Sequence, residues 1–198
     1  DISMNTYSSY KESGVEWIGE IPSNWNLTKL KYIFSEKKSV NNPQLNSGSI
    51  SFGQVVYKDD EKILESLKES YQEVLEGEFL INPLNLNYDL KSLRIGKSRI
   101  NVVVSQGYIV LRINEGFIPD YYEYLLRKFD VIQMKSLGHG VRQTISFTHL
   151  KDQTIVIPSN QEQQQISNYL DHKTQQIDSL IEKTQQKIEL LKEQRTSL

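Results

Sequence analysis

Apolar residues along this chain change their rhythm twice, and the changes divide it. Up to Ile157 they come in short runs broken by glycine, proline and polar clusters. Beyond Pro158 they settle into one long helical stripe. Ile50 to Tyr57 reads as a strand, as does Glu78 to Asn82 after a turn at Gly77. Ile100 to Val104 and Tyr108 to Ile113 flank Ser105-Gln106-Gly107, which predicts a hairpin with Gly107 free to take positive φ. Ile118, Tyr122, Leu125, Phe129 and Ile132 step by four, three, four and three, the spacing of a helix with one buried face. Pro119 suits its first turn, and it should stop by Gly138. Leu27, Leu30 and Phe34 also fall at near-helical spacing, and Thr154 to Ile157 closes the head as a last strand. The two tryptophans of the opening segment, Trp17 and Trp25, are expected on the domain edge. The sum is an α+β fold: one globular mixed α/β domain over 1–158, then a long helix over 159–198.

Ser159-x-x-Glu162 is a capping box, in which hydroxyl and carboxylate satisfy free amides at a helix start. Behind it Ile166, Leu170, Ile177, Ile181, Ile188, Leu191 and Leu198 share one stripe, widened by Leu180. The seven-residue step from Leu170 through Ile177, Thr184 and Leu191 to Leu198 is the period of a left-handed coiled coil. The first turns can pack back on the head. Gln161 to Arg195, at ~1.5 Å per residue, makes about 50 Å of helix, longer than the head is expected to be wide. The distal stripe therefore expects a second helix, from a twin chain or from further sequence. Met4 is a candidate natural start, and the stop at Thr196-Ser197-Leu198, in mid-pattern, points to truncation.

Composition narrows the classes. At 198 residues, 37% hydrophobic and 24% charged, the chain is an ordinary soluble one, without cysteine for disulfides or thiolate metal sites. No apolar run approaches the roughly 20 residues of a membrane span, and the N-terminus carries no signal peptide, so a cytoplasmic location without membrane contact is expected. The net charge of −2 argues against blanket nucleic-acid binding, yet charge is segregated. Tyr57 to Glu78 holds eight acids against three bases, whereas Lys91 to Arg112 holds five bases and no acid, enough for one basic face.

Catalytic motifs are absent. Asn82-Pro83-Leu84-Asn85 lacks the second proline and the aromatic of an amino-methyltransferase loop, and Gly138-His139-Gly140 lacks the third glycine of a nucleotide loop. Pro119-Asp120 with Glu123 lacks the lysine of a PD-(D/E)xK nuclease, and His139, His149 and His172 are too dispersed for a metal. No cofactor is expected. Candidate contacts remain. Lys91, Arg94, Lys97, Ser98 and Arg99 interleave bases with serines and a glycine, which suits phosphates. In the loop around Gly138 and Gly140, His139, Arg142, Gln143 and Thr144 could approach bases. Arg142 could fork onto guanine and Gln143 could pair with adenine. A solvated hairpin edge explains the basic stretch equally well.

The chain resembles the specificity (S) subunit of type I restriction–modification systems in half-subunit form, one target-recognition domain and one helix, or a single-domain fragment of a full subunit. The likeness rests on Gly14-Val15-Glu16-Trp17-Ile18-Gly19-Glu20-Ile21-Pro22-x-x-Trp25, on Gly77-Glu78-Phe79-Leu80-Ile81-Asn82-Pro83 and on Gly138-x-Gly140-Val141-Arg142-Gln143. It continues through Ile155-x-Ile157-Pro158, Glu162-Gln163 and Ile166 to Asp171; Ser159-Asn160 departs from the family's second proline and apolar residue. The resemblance implies a non-catalytic reader of double-stranded DNA. Its partners would be modification subunits that bring S-adenosylmethionine and methylate adenine, and restriction subunits in the full complex. It implies a bipartite site read by two recognition domains: a palindromic one read through an antiparallel homodimer of the C-terminal helix if the chain is a half-subunit, or an asymmetric one with the partner helix in further sequence if it is a fragment. The competing reading is a dimeric coiled-coil adaptor whose head binds protein.

Overall fold

The computed structural model describes residues 7–84, 93–134, 137 and 145–196. The chain opens with β1 (Tyr10–Glu12) and β2 (Glu20–Pro22), an antiparallel pair. Next come β3 (Asn26–Lys29), a 3-10 turn over Leu30–Tyr32, and β4 (Phe34–Glu36). The hairpin β5 (Gly48–Ser51) and β6 (Gln54–Tyr57) leads to the short helix α1 (Glu65–Lys68), then β7 (Gln72–Val74) and β8 (Phe79–Ile81). β9 (Ile95–Lys97), β10 (Val102–Val104) and β11 (Ile109–Ile113) precede the helix α2 (Pro119–Ile132). A short turn of helix, α3 (Phe147–Leu150), and β12 (Thr154–Ile157) complete the head, and α4 (Asn160–Thr196) leaves it. The central sheet runs β4-β11-β8-β9, antiparallel throughout, with β10-β7 and β12-β3 as separate antiparallel pairs.

This is the mixed sheet-and-helix head with a long terminal helix that the sequence led us to expect. The core lies between the central sheet and the inner face of α2. Phe34 stacks edge-on against Phe79 and Tyr122, with centroids 5.2 and 5.7 Å apart, and Leu126, Phe129 and Leu111 fill the space around them. A smaller cluster of Val55, Val74, Leu80, Val102, Val104 and Val110 fills the other side of the sheet. α2 starts on Pro119 as expected and ends at Ile132, well before Gly138, which lies outside the described residues.

Four local expectations are corrected. Leu27 to Phe34 is strand, 3-10 turn and strand, because tertiary pairing claims the backbone: the Leu30 and Lys31 amides donate to the carbonyls of Gln153 and Lys151 (2.9 Å each). Residues 50–57 form two strands, turned at Phe52-Gly53, both at positive φ. The expected hairpin around Ser105-Gln106-Gly107 keeps its turn but changes sheets: β10 pairs with β7, while β11 pairs with β4 and β8. The Gln72 amide bridges that break by donating to the Tyr108 carbonyl at 2.8 Å. Trp17 lies in the core, edge-on to Phe129 at 5.5 Å, and only Trp25 stays at the margin.

Candidate nucleic-acid interface and helix seam

From Arg94 onward the basic stretch folds onto acids. The Arg94 side chain is buried, and its Nε donates to Asp130 Oδ1 at 3.3 Å. Asp130, at the end of α2, also accepts from the backbone amides of Arg94 and Ile95. Burial pushes the Asp130 carboxyl above its ordinary range, against the pull of Arg94. Lys97 pairs with Asp120 and Glu123, and Arg99 forks onto both oxygens of Glu123 (3.2 and 3.1 Å). Arg127 reaches the same carboxylate from one turn along α2 at 2.8 Å. Ser98 is buried, its hydroxyl donating to the Ile100 carbonyl at 2.6 Å. Arg112 donates to Glu78, a carboxylate that also takes the buried Lys37 ammonium at 3.0 Å.

The described bases of that stretch, Arg94, Lys97, Arg99 and Arg112, are thus each paired with an acid. The acidic stretch meets Arg112 through Glu78, and α2 supplies acids for Arg94, Lys97 and Arg99. A phosphate contact from Arg94 or Ser98 runs against their burial, since each faces inward. Arg99 and Arg112 keep 61% and 53% of their side-chain surface exposed and can still offer free N–H groups. Lys91, His139, Arg142, Gln143 and Thr144 lie outside the described residues.

The stems that carry those residues do lie within the described part, and they converge. The Asn82 amide donates to the Arg94 carbonyl (2.8 Å), closing the base of the segment that holds Lys91. Ile145, which ends the segment holding His139 to Thr144, donates to the Pro83 carbonyl at 3.1 Å. The β5–β6 tip joins the group, with the Gly53 amide donating to the Leu93 carbonyl at 3.2 Å. Reading 50–57 as one strand hid that tip; the signal that could have shown it was Gly53 at mid-run.

A separate set of contacts grips the helix. The Ser159 hydroxyl accepts from the Glu162 amide (3.3 Å), while the Glu162 carboxylate accepts from the Ser159 amide (3.0 Å) and from Trp25 Nε1 (3.0 Å). Burial disfavours the charged Glu162, but these donors outweigh it and hold its pKa down to about 2. Gln163 is fully buried: its amide donates to the Pro158 carbonyl (3.0 Å), and its oxygen accepts from the Ile118 amide (3.2 Å). Ile166 packs on the core, and the Tyr124 hydroxyl donates to Asp171 at 2.6 Å.

From Gln175 to Thr196 every residue is exposed. The stripe therefore divides: Ile166 and Leu170 face the head, while Ile177, Leu180, Ile181, Ile188 and Leu191 stand in solvent at 46–63% exposure. Among the described residues no cluster of acids and histidines could hold a metal, and no helix is long and apolar enough to cross a membrane. His149 serves instead in the cap of α3.

Three comparisons bear on this arrangement. A family model described as "Type I restriction modification DNA specificity domain" matches residues 10–190, head and helix together. Among solved structures the chain is similar to one from work on complex assembly and conformational transition of the type I R-M system (16% identity, TM-score 0.57), covering 86% of this chain and 42% of that one. It is similar to the HsdS subunit from Thermoanaerobacter tengcongensis (16%, 0.54), covering 86% and 41% of the two chains. A type I restriction-modification S subunit from M. genitalium is similar too (18%, 0.55), with 80% and 42% covered. At these identities the likeness shows a shared fold, and the chain spans about two fifths of the length of each. No curated protein matches the chain by sequence.

Proposed function

This chain belongs to the type I restriction–modification DNA specificity family, and we propose that it is the sequence-reading part of such an enzyme, without catalysis of its own. Residues 1–158 form the target-recognition domain, and 159–198 the dimerisation and spacer helix. The domain directs adenine methylation, and restriction in the full complex, by modification and restriction subunits in the cytoplasm. The observation that carries the reading is the family match over 10–190, because it takes in both the head and the helix that leaves it. A tight head–helix joint followed by an exposed apolar stripe supports a helix that pairs with a second copy. An antiparallel pair would hold two heads about 50 Å apart, roughly 15 base pairs at ~3.4 Å each, and the site would be bipartite and symmetric.

DNA contacts are assigned to the end where the stems converge. Lys91, His139, Arg142, Gln143 and Thr144 are the proposed direct contacts, with Arg99 and Lys97 assigned to phosphates. Co-expression with the cognate modification subunit, followed by mapping of methyl-adenine across the host genome, tests the whole. A new symmetric bipartite motif supports reader and dimer together; no new methylation from an assembled complex refutes the reading.

A second reading, an adaptor whose head binds protein, draws on one observation: Arg94, Lys97, Arg99 and Arg112 all have acidic partners inside the chain. Affinity for duplex DNA that falls steeply with salt excludes it.

A further inference from the structure

The β5–β6 ribbon carries a side chain that the fold itself gives no reason to keep. Ser51 and Gln54 pair across a two-residue turn, whose central residues Phe52 and Gly53 sit at φ 48° and 74°. Positive φ at both positions is the mark of a type I′ turn, where Asn-Gly is the usual occupant. A phenylalanine there is strained, because its Cβ crowds the backbone in the left-handed region. Its ring gains nothing in return, since Phe52 is 78% exposed, the most exposed large hydrophobic residue among those described. Backbone strain and an exposed aromatic at one residue together point to a contact outside the chain.

The tip is also rigidly mounted. Gly53 is held by its bond to Leu93, and Gly96 lets β9 approach so closely that a Cβ there would lie 2.5 Å from the Gly53 carbonyl. The ribbon from Gly48 to Tyr57 carries no charged residue, so it has nothing with which to neutralise a phosphate. Gln54 is exposed, and no hydrogen bond engages its amide among the described residues.

We propose that this uncharged ribbon enters the major groove and reads an A·T pair, with Phe52 against the thymine methyl and Gln54 on the adenine edge. The proposal rests on the DNA-reading function above and assigns a specificity element to it. The major groove admits a two-stranded ribbon, the thymine methyl is a target for an apolar side chain, and glutamine is the bidentate partner of adenine N6 and N7. The tip adjoins Leu93, beside the converging stems, so it would reach the duplex together with the loops they carry.

The test uses the full chain assembled with its cognate modification subunit, with methyl-adenine mapped across the host genome. Phe52→Gly removes the ring while keeping a residue suited to positive φ, and Gln54→Ala removes the amide; thermal unfolding confirms that both fold. In both variants, preference for A·T at one position of each half-site should fall by roughly five- to a hundredfold, with the rest of the motif kept. A wild-type motif without that A·T pair, or one unchanged in both variants, overturns the proposal and leaves the family function standing. A uniform drop at all positions overturns it too, since that marks a general contact. No motif from the wild-type complex overturns both.

Discussion

Gln163→Ala tests the joint between head and helix. The wild-type side chain is fully buried and spans two backbone groups that no strand or helix ladder satisfies, the Pro158 carbonyl and the Ile118 amide. Alanine leaves both unpaired, at about 1–3 kcal/mol for each buried polar group. The expected loss is therefore about 2–6 kcal/mol, which for a chain of this size lowers Tm by roughly 4–24 °C. Thermal unfolding followed by circular dichroism at 222 nm (helix) and near 290 nm (tryptophan) reads this directly. Gln164→Ala is the control, because Gln164 is exposed and reaches only Asn168 on the same helix; it should stay within about 0.5 kcal/mol of wild type. A Gln163→Ala protein that melts with the control would refute the assignment of the joint to this side chain. Gln163→Glu sharpens the test by setting a carboxylate oxygen against the Pro158 carbonyl, and should cost more than alanine at pH 7 and less in acid.

Three further outcomes are expected. Ile177→Asp places a carboxylate in the exposed stripe; if two copies pair there, dimer affinity should weaken on the order of a hundredfold or more, and an unchanged mass in sedimentation would discredit the pairing. Glu78→Ala takes one of two carboxylates from the buried Lys37 ammonium, leaving Glu73, and should cost about 3 kcal/mol in urea unfolding. Arg112→Ala, on the exposed side of Glu78, should cost under about 1 kcal/mol, and equal losses would mean that burial does not set the scale. Glu162, held down to about 2 in the fold, contributes stability that is present above the ordinary carboxylate range and lost as pH falls toward 2. The gap between wild type and Glu162→Gln should therefore shrink across that window in acid-titrated melts, and a gap independent of pH would count against the capping role.

What could be read from the sequence followed from how local each signal was. The capping box, α2 and the long terminal helix are set by residues within a turn or two of each other, and all three form as expected. β10 and β11 went astray because their partners are distant. Val102 to Val104 is buried on both faces, a pattern that does not say which strand will claim it. Charge failed for the same reason. The bases from Arg94 to Arg112 are contiguous, but their acids come from Glu78, Asp120, Glu123 and Asp130, and only the packing of α2 and β8 on the sheet brings these together. Phe52 was missed because its meaning lies in a backbone angle.

That internal pairing has a consequence for how a chain of this kind would bind DNA. Non-specific affinity comes from phosphates neutralised by cations, each adding about 0.9 to the slope of log affinity on log salt. With Arg94, Lys97, Arg99 and Arg112 already facing carboxylates, these four bases have little free charge with which to release counterions. Base-edge contacts would then carry discrimination without much background affinity. Most of the grip on the phosphate backbone would have to come from elsewhere, either from the second head held by the helix or from the subunits assembled on it. Such a division suits a specificity element: weak alone on any sequence, it would commit only where both half-sites are satisfied at the separation the helix imposes. In such a pair, a rigid joint would make that separation selective. If the helix swivelled at Pro158, sites of several spacings would be read equally well, and the buried Gln163 and the Glu162–Trp25 bond are the features that oppose such a swivel.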